Sequence, residues 1–253
     1  MNTVACYKVV PDAQDIAVRG DGSLDLSRAE WVLGEYDLVA IEAAVKVAEA
    51  TGGTAYLLSA GADKLTDTKL VKAALSRGAA ELVRVVDPAL ADADAYQTAK
   101  ILAGALSGIE YDLVICGEGS ADRYAQQTGS LLGALIGVPV VNAVSSIEAG
   151  EGQVTVERTL ETEAEVLKVS TPAVLSVTTD AYLPRIPQLK DILAADKKPV
   201  RDVALDEAGG LVESPAVTEA VKAPTSVERK LVVYADASDD NIAELAQNIK
   251  ASL

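Results

Sequence analysis

The sequence predicts an α/β protein: a doubly wound, mostly parallel sheet with an added antiparallel hairpin and an extended C-terminal arm. Two observations carry this. Continuous apolar runs, suited to strands covered on both faces, alternate with Ala/Leu-rich stretches whose apolar residues recur at helical spacing. Gly52, Gly78, Gly108 and Gly137 then fall just past those stretches, where a helix end favours a residue tolerant of positive φ. A strand-helix unit repeated four times implies right-handed crossovers, and ligands of such sheets bind at the carboxyl ends of the strands, near the switch in strand order.

Taken in order, TVACYKVV from Thr3 is the first strand; Pro11 ends it, and Asp12 is placed to cap or to contact a ligand. Leu38 to Ala50 is the first helix. TAYLLSAG from Thr54 is the second strand, where Ala60, Gly61 and Ala62 either leave room for a flat group or simply form a turn. Lys64 to Arg77 is helical, ELVRVV from Glu81 a strand, Ala93 to Leu106 a helix, YDLVICG from Tyr111 a strand and Tyr124 to Ile136 a helix. The rhythm changes between Asn142 and Thr171 to two alternating stretches, QVTVERTLE and EAEVLKVST, which form an antiparallel hairpin. Glu157 and Arg158 there read as surface ion-pair residues, or Arg158 points to a cofactor or partner. AVLSVTT from Ala173 closes the sheet. Asp180 to Pro199 has an apolar tip, Tyr182 and Leu183, stiffened by Pro184 and Pro187, either a docking loop or a buried one.

After Ala195 the pattern breaks into a stretch rich in Pro, Gly and charge, followed by LVVYADASDD and the amphipathic NIAELAQNIKASL, with Ser238 or Asp239 as cap. The expected organisation is a nucleotide-binding α/β domain over 1–195 and an extended arm with a terminal helix over 196–253. Such an arm cannot bury itself alone and so seeks a partner chain.

Composition narrows the function classes. Of 253 residues, 49% are hydrophobic, and 22 Lys+Arg stand against 38 Asp+Glu for a formal charge of −16, which argues against nucleic acid or an anionic membrane as partner. The chain has no His, so triads, neutral-pH bases and metal sites built on His are excluded. No metal ligands or catalytic residues stand out. With no Phe, the core is Ala, Val, Leu and Ile. Cys6 and Cys116 sit in apolar runs and read as core thiols of a reducing compartment, a redox disulfide being the other reading. No apolar run approaches the roughly 18 residues of a membrane span, and the first strand starts almost at once, so a cytoplasmic protein is expected.

The most informative stretch is VICGEGSADRYAQQTGSLLGALIGVPVV, Val114 to Val141. A buried strand delivers Gly117-Glu118-Gly119-Ser120-Ala121-Asp122 as a glycine-bearing turn followed by a helix, with Gln126, Gln127 and Thr128 on its first turns. Backbone N–H groups, the Ser120 hydroxyl and the positive helix end then surround an anion. The alternative is a plain turn with Ser120 or Asp122 as N-cap. This is neither a Walker A loop nor a GxGxxG fingerprint, and no glycine loop follows the first strand.

Seven segments in order, YKVVPDAQDI, YDLVAIEAA, ALSRGAAE, CGEGSADRYAQQTG, VERTLETEAEV, TPAVLSVTTD and PRIPQLKDILAADKKP, resemble the electron-transfer flavoprotein β subunit, most closely its FixA branch. The resemblance implies a sheet like that of the adenine-nucleotide α-hydrolases, and no enzyme activity of its own. It implies a heterodimer with an α subunit that carries the redox-active FAD, and AMP or a second FAD in a site on this chain. That site would comprise Cys6, the segment near Leu33 to Tyr36, Ala60, and Gly117, Glu118, Gly119, Ser120, Asp122, Arg123, Gln126, Gln127 and Thr128. Many relatives have Asn-Pro-aromatic where this chain has Leu33-Gly34-Glu35-Tyr36. Tyr182, Leu183, Pro184 and Arg185 resemble a loop that docks a dehydrogenase or a quinone- or ferredoxin-linked oxidoreductase, and the arm resembles the segment embracing the α subunit. The competing class is an adenine-nucleotide hydrolase or ligase of the same fold, but its Ser-Gly-Gly-x-Asp-Ser loop after the first strand is missing.

Overall fold

A computed structural model describes residues 1–225 and 231–252. Nine strands build the main sheet: β1 Thr3–Cys6, β2 Ala55–Gly61, β3 Glu81–Val86, β4 Leu113–Gly117, β5 Val140–Gly150, β6 Gln153–Thr159, β7 Ala164–Ser170, β8 Ala173–Val177 and β9 Val200–Val203. The helices are α1 Glu35–Thr51, α2 Thr68–Leu75, α3 Ala95–Leu106, α4 Thr128–Ile136, α5 Leu189–Ala195 and α6 Asp239–Lys250. Strand order is β7-β6-β5-β8-β4-β1-β2-β3-β9, antiparallel at β5-β6-β7 and parallel elsewhere.

Alternation along the central strands sends successive side chains to opposite faces. Ala5, Leu57, Leu113, Ile115 and Leu175 pack with α1 and α2 on one face. Val4, Leu58, Val83, Val114 and Val174 pack with α3 and α4 on the other. Both faces being covered, the sheet is doubly wound. The chain lays β2 and β3 to one side of β1, then crosses through α3 to place β4 on the other. The switch in strand order therefore lies between Cys6 and Gly117.

The element ends follow local chemistry. Asp94 caps α3 and Gln97 reciprocates. Gly52 and Gly137 close α1 and α4 in the left-handed region, at φ 66° and 72°. Gly108 was expected to do the same for α3, but Ser107 is the cap there, and Gly108 instead gives its carbonyl to Arg201. The first apolar run breaks in two: after β1, Val9–Pro11 pairs antiparallel with Trp31–Leu33 outside the main sheet. The expected helix over 64–77 is a short 3-10 turn, Asp63–Thr66, followed by α2, because Asp67 caps a fresh start by accepting the Lys69 N–H.

Three elements were not expected. β5 makes the added hairpin a three-stranded antiparallel unit. Its alternation is broken by a bulge, since Leu175 and Val177 of β8 face Val141 and Val144, and Ala143 takes φ 54°. α5 lies in the stretch read as a loop, opened by a reciprocal Gln188–Asp191 cap. β9 lies in the stretch read as an arm; it is a half-exposed edge strand, so no apolar run marks it. The expected boundary at 195/196 consequently falls inside a compact unit comprising Met1–Ala17 and Asp25–Ala220. The Lys198 ammonium donates to the Leu75 and Ala79 carbonyls at 2.8 and 2.7 Å, and Arg84 pairs with Asp202 at 2.6 Å. A second unit comprises Val18–Leu24 and the described part of Val221–Leu253. In it Ser23 bridges Lys222, Ala223 N–H donates to the Gly22 carbonyl, and α6 follows Ser238 with Ile242, Leu245 and Ile249 exposed.

Gly104 of α3 lies against Ala208, where an added Cβ would come 2.1 Å from the Ala208 carbonyl oxygen. Gly104→Ala is therefore expected to lower stability by about 1–3 kcal/mol through overpacking. A thermal melt of the full chain checks this; an unshifted melt would mean that the segment after β9 does not dock on α3.

Candidate functional site

The carboxyl ends of β1, β2, β4 and β8 lie side by side at the switch point, the place where a crevice forms in sheets of this kind, and three contacts fix the exit of β1. The Ser59 hydroxyl donates to the Tyr7 carbonyl at 2.6 Å. The Lys8 N–H donates to Asp37 Oδ2 at 2.7 Å, and the Lys8 carbonyl accepts from Gly34 N–H at 2.9 Å. Gly34 is the N-cap of α1 and admits no side chain, since a Cβ there would lie 2.7 Å from Asp37 Oδ2.

Lys8 sends its ammonium across the crevice to Asp122 Oδ2 at 2.5 Å, a partner 114 positions away. The second Asp122 oxygen accepts the Arg123 N–H at 2.9 Å. Burial pushes the Asp122 carboxyl up, but the Lys8 ammonium and the Ser120 hydroxyl outweigh it and hold the group below its usual range. Asp37 behaves oppositely. Burial raises it to about 7, against the bond and charge of Lys8, and the charge of Asp122 adds to the rise.

The turn after β4 departs from expectation in one respect. α4 begins at Thr128, so Gln126 precedes the helix and Gln127 is its N-cap rather than part of its first turn. Tyr124 and Gln126 adopt φ 45° and 56°, left-handed conformations that a helix cannot accommodate. Neither Ser120 nor Asp122 caps α4, and the Gln127 side chain makes no cap bond. The first N–H groups of α4 therefore have no intrahelical partner and no side-chain cap. Gly129 and Gly133 let α4 settle onto the sheet: a Cβ at these positions would come 2.3 Å from Ser176 Oγ and 2.1 Å from Val140 Cγ2.

Gly117 sits under Tyr36, where a Cβ would lie 2.8 Å from that residue's own Cβ, and the Tyr124 ring covers Gly119. The two tyrosine rings meet at 5.4 Å between centroids, and Gln126 donates to the Tyr124 hydroxyl at 3.3 Å. Glu118 gives its N–H to Val177, and its carboxyl is raised by burial and by Asp180. Cys6 is buried at the end of β1 beside Cys116; the two thiols are unpaired, and the Cys116 thiol and burial push Cys6 up. The Cys6 side chain packs in the core cluster with Leu58 and Cys116. Ala60 lies at the end of β2, partly exposed. Leu33 is buried in the short ladder with Val9.

Sequence reasoning thus brings together residues that the fold also gathers, yet it missed Lys8, Asp37 and the Tyr36–Tyr124 pair. The run TVACYKVV placed Lys8 inside the first strand, whereas that strand ends at Cys6 and Lys8 follows it. What Lys8 reaches depends on the crossover.

The second group, Tyr182 to Arg185, divides. Tyr182 turns inward, its hydroxyl accepting the Ile147 N–H at 3.2 Å. Arg185 grips buried Glu42 at 2.8 Å and Glu49 at 2.8 Å. Pro184 is half-buried, while Leu183 and Ile186 are each 90% exposed and Leu189 and Leu193 are largely exposed. Arg158 pairs at 2.6 Å with Glu165, its register partner on β7, as a cross-strand ion pair, and touches Asn142.

A mostly parallel sheet covered on both faces, with a glycine-bearing turn at its switch point, defines a doubly wound α/β protein. Residues 22–208 match the family described as the electron transfer flavoprotein domain, which is more than half of the chain. The chain belongs to the electron transfer flavoprotein family. Among the described residues no helix is long and apolar enough to cross a membrane.

Because Asp37 titrates near pH 7 in the folded chain and near 4 unfolded, its folded state holds a proton that the unfolded state has released between those values. Stability from this group is full below about pH 4, falls between about 4 and 7, and is lost above, by on the order of 4 kcal/mol. Asp37→Asn keeps an acceptor for the Lys8 N–H and removes the titration. It is expected to melt higher than the native chain at about pH 8, with the difference vanishing near pH 4. Parallel melting curves across that range would overturn the assignment.

Proposed function

We propose that the chain is the β subunit of an electron-transfer flavoprotein of the FixA-like branch: an electron carrier in a heterodimer with an FAD-bearing α subunit, holding AMP or a second FAD in its own switch-point crevice. The carrying observation is the cluster between the ends of β1 and β4: the Lys8 ammonium and the Ser120 hydroxyl meet on Asp122, in the turn that leads to the start of α4, which has no side-chain cap, and this fits a nucleotide phosphate. A bound flavin supplies the one- and two-electron chemistry. The residues of this chain bind and orient: Gly117, Glu118, Gly119, Ser120, Asp122, Arg123, Gln126, Gln127 and Thr128 form the wall, with the Cys6 backbone and Ala60 beside it. The hydrolase or ligase reading finds no support at the β1 exit, where Tyr7 and Lys8 stand instead of a glycine cradle.

The docking reading shifts from Tyr182 and Arg185 to the residues they anchor. Arg185 and Tyr182 brace the loop, and the exposed row Leu183, Ile186, Leu189 and Leu193 faces outward as the surface for a dehydrogenase or a quinone- or ferredoxin-linked oxidoreductase. The exposed apolar residues of α6 suit the α subunit. Two unpaired thiols agree with a cytoplasmic location.

Co-expression with the α subunit, followed by denaturing release and chromatography, tests the assignment. Two FAD per heterodimer support a bifurcating carrier, one FAD with one AMP a simple shuttle, and neither nucleotide in a well-formed complex overturns the site. In the same complex, Leu183→Ala is expected to slow electron transfer from the redox partner by about tenfold, the worth of a buried leucine contact, with flavin content unchanged. An unaltered rate would make the loop structural.

A further inference from the structure

The crevice poses an electrostatic problem for any nucleotide. Glu35, Asp37, Glu118 and Asp122 line or flank it, on a chain whose formal charge is −16. Among the described residues, Lys8 and Arg123 are cations that bond Asp122 of this turn, Lys8 through its ammonium and Arg123 through its N–H. Arg123 is exposed on the outside of the turn and shares its charge with Asp94 of the α3 cap, a carboxyl that burial raises and that neighbouring N–H groups, Ser214 and Arg123 together hold low. Lys8 alone leans across the switch point. Its backbone is held by Asp37 and Gly34, so its side chain starts from a fixed position, and its ammonium ends on Asp122. An ammonium has three donors and a carboxylate uses one, leaving two for a further acceptor.

We propose that Lys8 is the phosphate-binding cation of this site, and that Asp122 serves it as a positioning residue, holding the ammonium over the crevice so that a carboxylate facing the phosphate becomes support instead of repulsion. The inference rests on the nucleotide reading and names which residue recognises the phosphate. In this arrangement Asp122 touches the ligand through Lys8, and the loss from removing Asp122 is contained in the loss from removing Lys8.

The test uses the full chain, with AMP and adenosine as probes in equilibrium dialysis. Lys8→Met is expected to weaken AMP binding about 10- to 100-fold, the worth of a charge-assisted contact, while adenosine, which has no phosphate, binds as before. Lys8→Arg recovers most of the AMP affinity. Asp122→Ala weakens AMP alone, and the Lys8→Met, Asp122→Ala double variant is no weaker than Lys8→Met. The Lys8 side chain is 44% exposed and Met keeps its length, so Lys8→Met retains the fold, which a thermal melt verifies. If Lys8→Met keeps the AMP affinity and the AMP-to-adenosine preference, or if the two losses add, the inference is wrong while the nucleotide site stands. If the native chain binds AMP, FAD and adenosine with no detectable affinity, the nucleotide reading fails and this inference with it.

Discussion

The reversal of strand order between β1 and β4 governs most of what is distinctive in this molecule. Two parallel strands whose crossovers leave in opposite directions cannot have their outgoing loops cover one another, so a gap opens at their carboxyl ends. The polar backbone that enters the gap must still be paired. Here the exit of β1 is pinned on three sides by Ser59, Asp37 and Gly34, and the exit of β4 folds back through two left-handed residues, Tyr124 and Gln126, before α4 begins.

That pinning has an electrostatic consequence. Asp37 is buried to hold one N–H of Lys8, and the burial moves its titration to about 7. The ammonium of the same lysine then reaches Asp122 and keeps that second carboxyl ionised. A single residue thus connects a buried acid at the start of α1 to an exposed turn after β4. In a chain so rich in acids, the local potential depends on where its few cations are fixed more than on how many it carries.

A different solution appears at the outer loop. Arg185 is tied to Glu42 and Glu49, and Tyr182 to the backbone of β5, so the polar residues are consumed internally and the apolar ones are displayed. The loop is tied to α1 by these ion pairs, which restrain its backbone at Arg185.

Much of the architecture was legible because β1, β2, β3, β4 and β8 are buried on both faces and so read as unbroken apolar runs. β9 was not, since an edge strand half in solvent leaves no such run, and β5 was not, since the bulge at Ala143 breaks its alternation. The start of α4 was placed too early because Tyr124 to Gln127 contain no helix breaker, and nothing in their residue types marks the left-handed conformations that Tyr124 and Gln126 adopt. By itself the sequence determined the doubly wound class, the turn carrying Gly117 to Thr128 and its family, all of which depend on local pattern. Only the tertiary structure decided that Lys8 meets Asp122, that Asp37 is buried beneath them, and that Arg185 turns inward while Leu183 turns out. Each of these is a pairing between distant segments, fixed by strand order and burial, and no local periodicity encodes it.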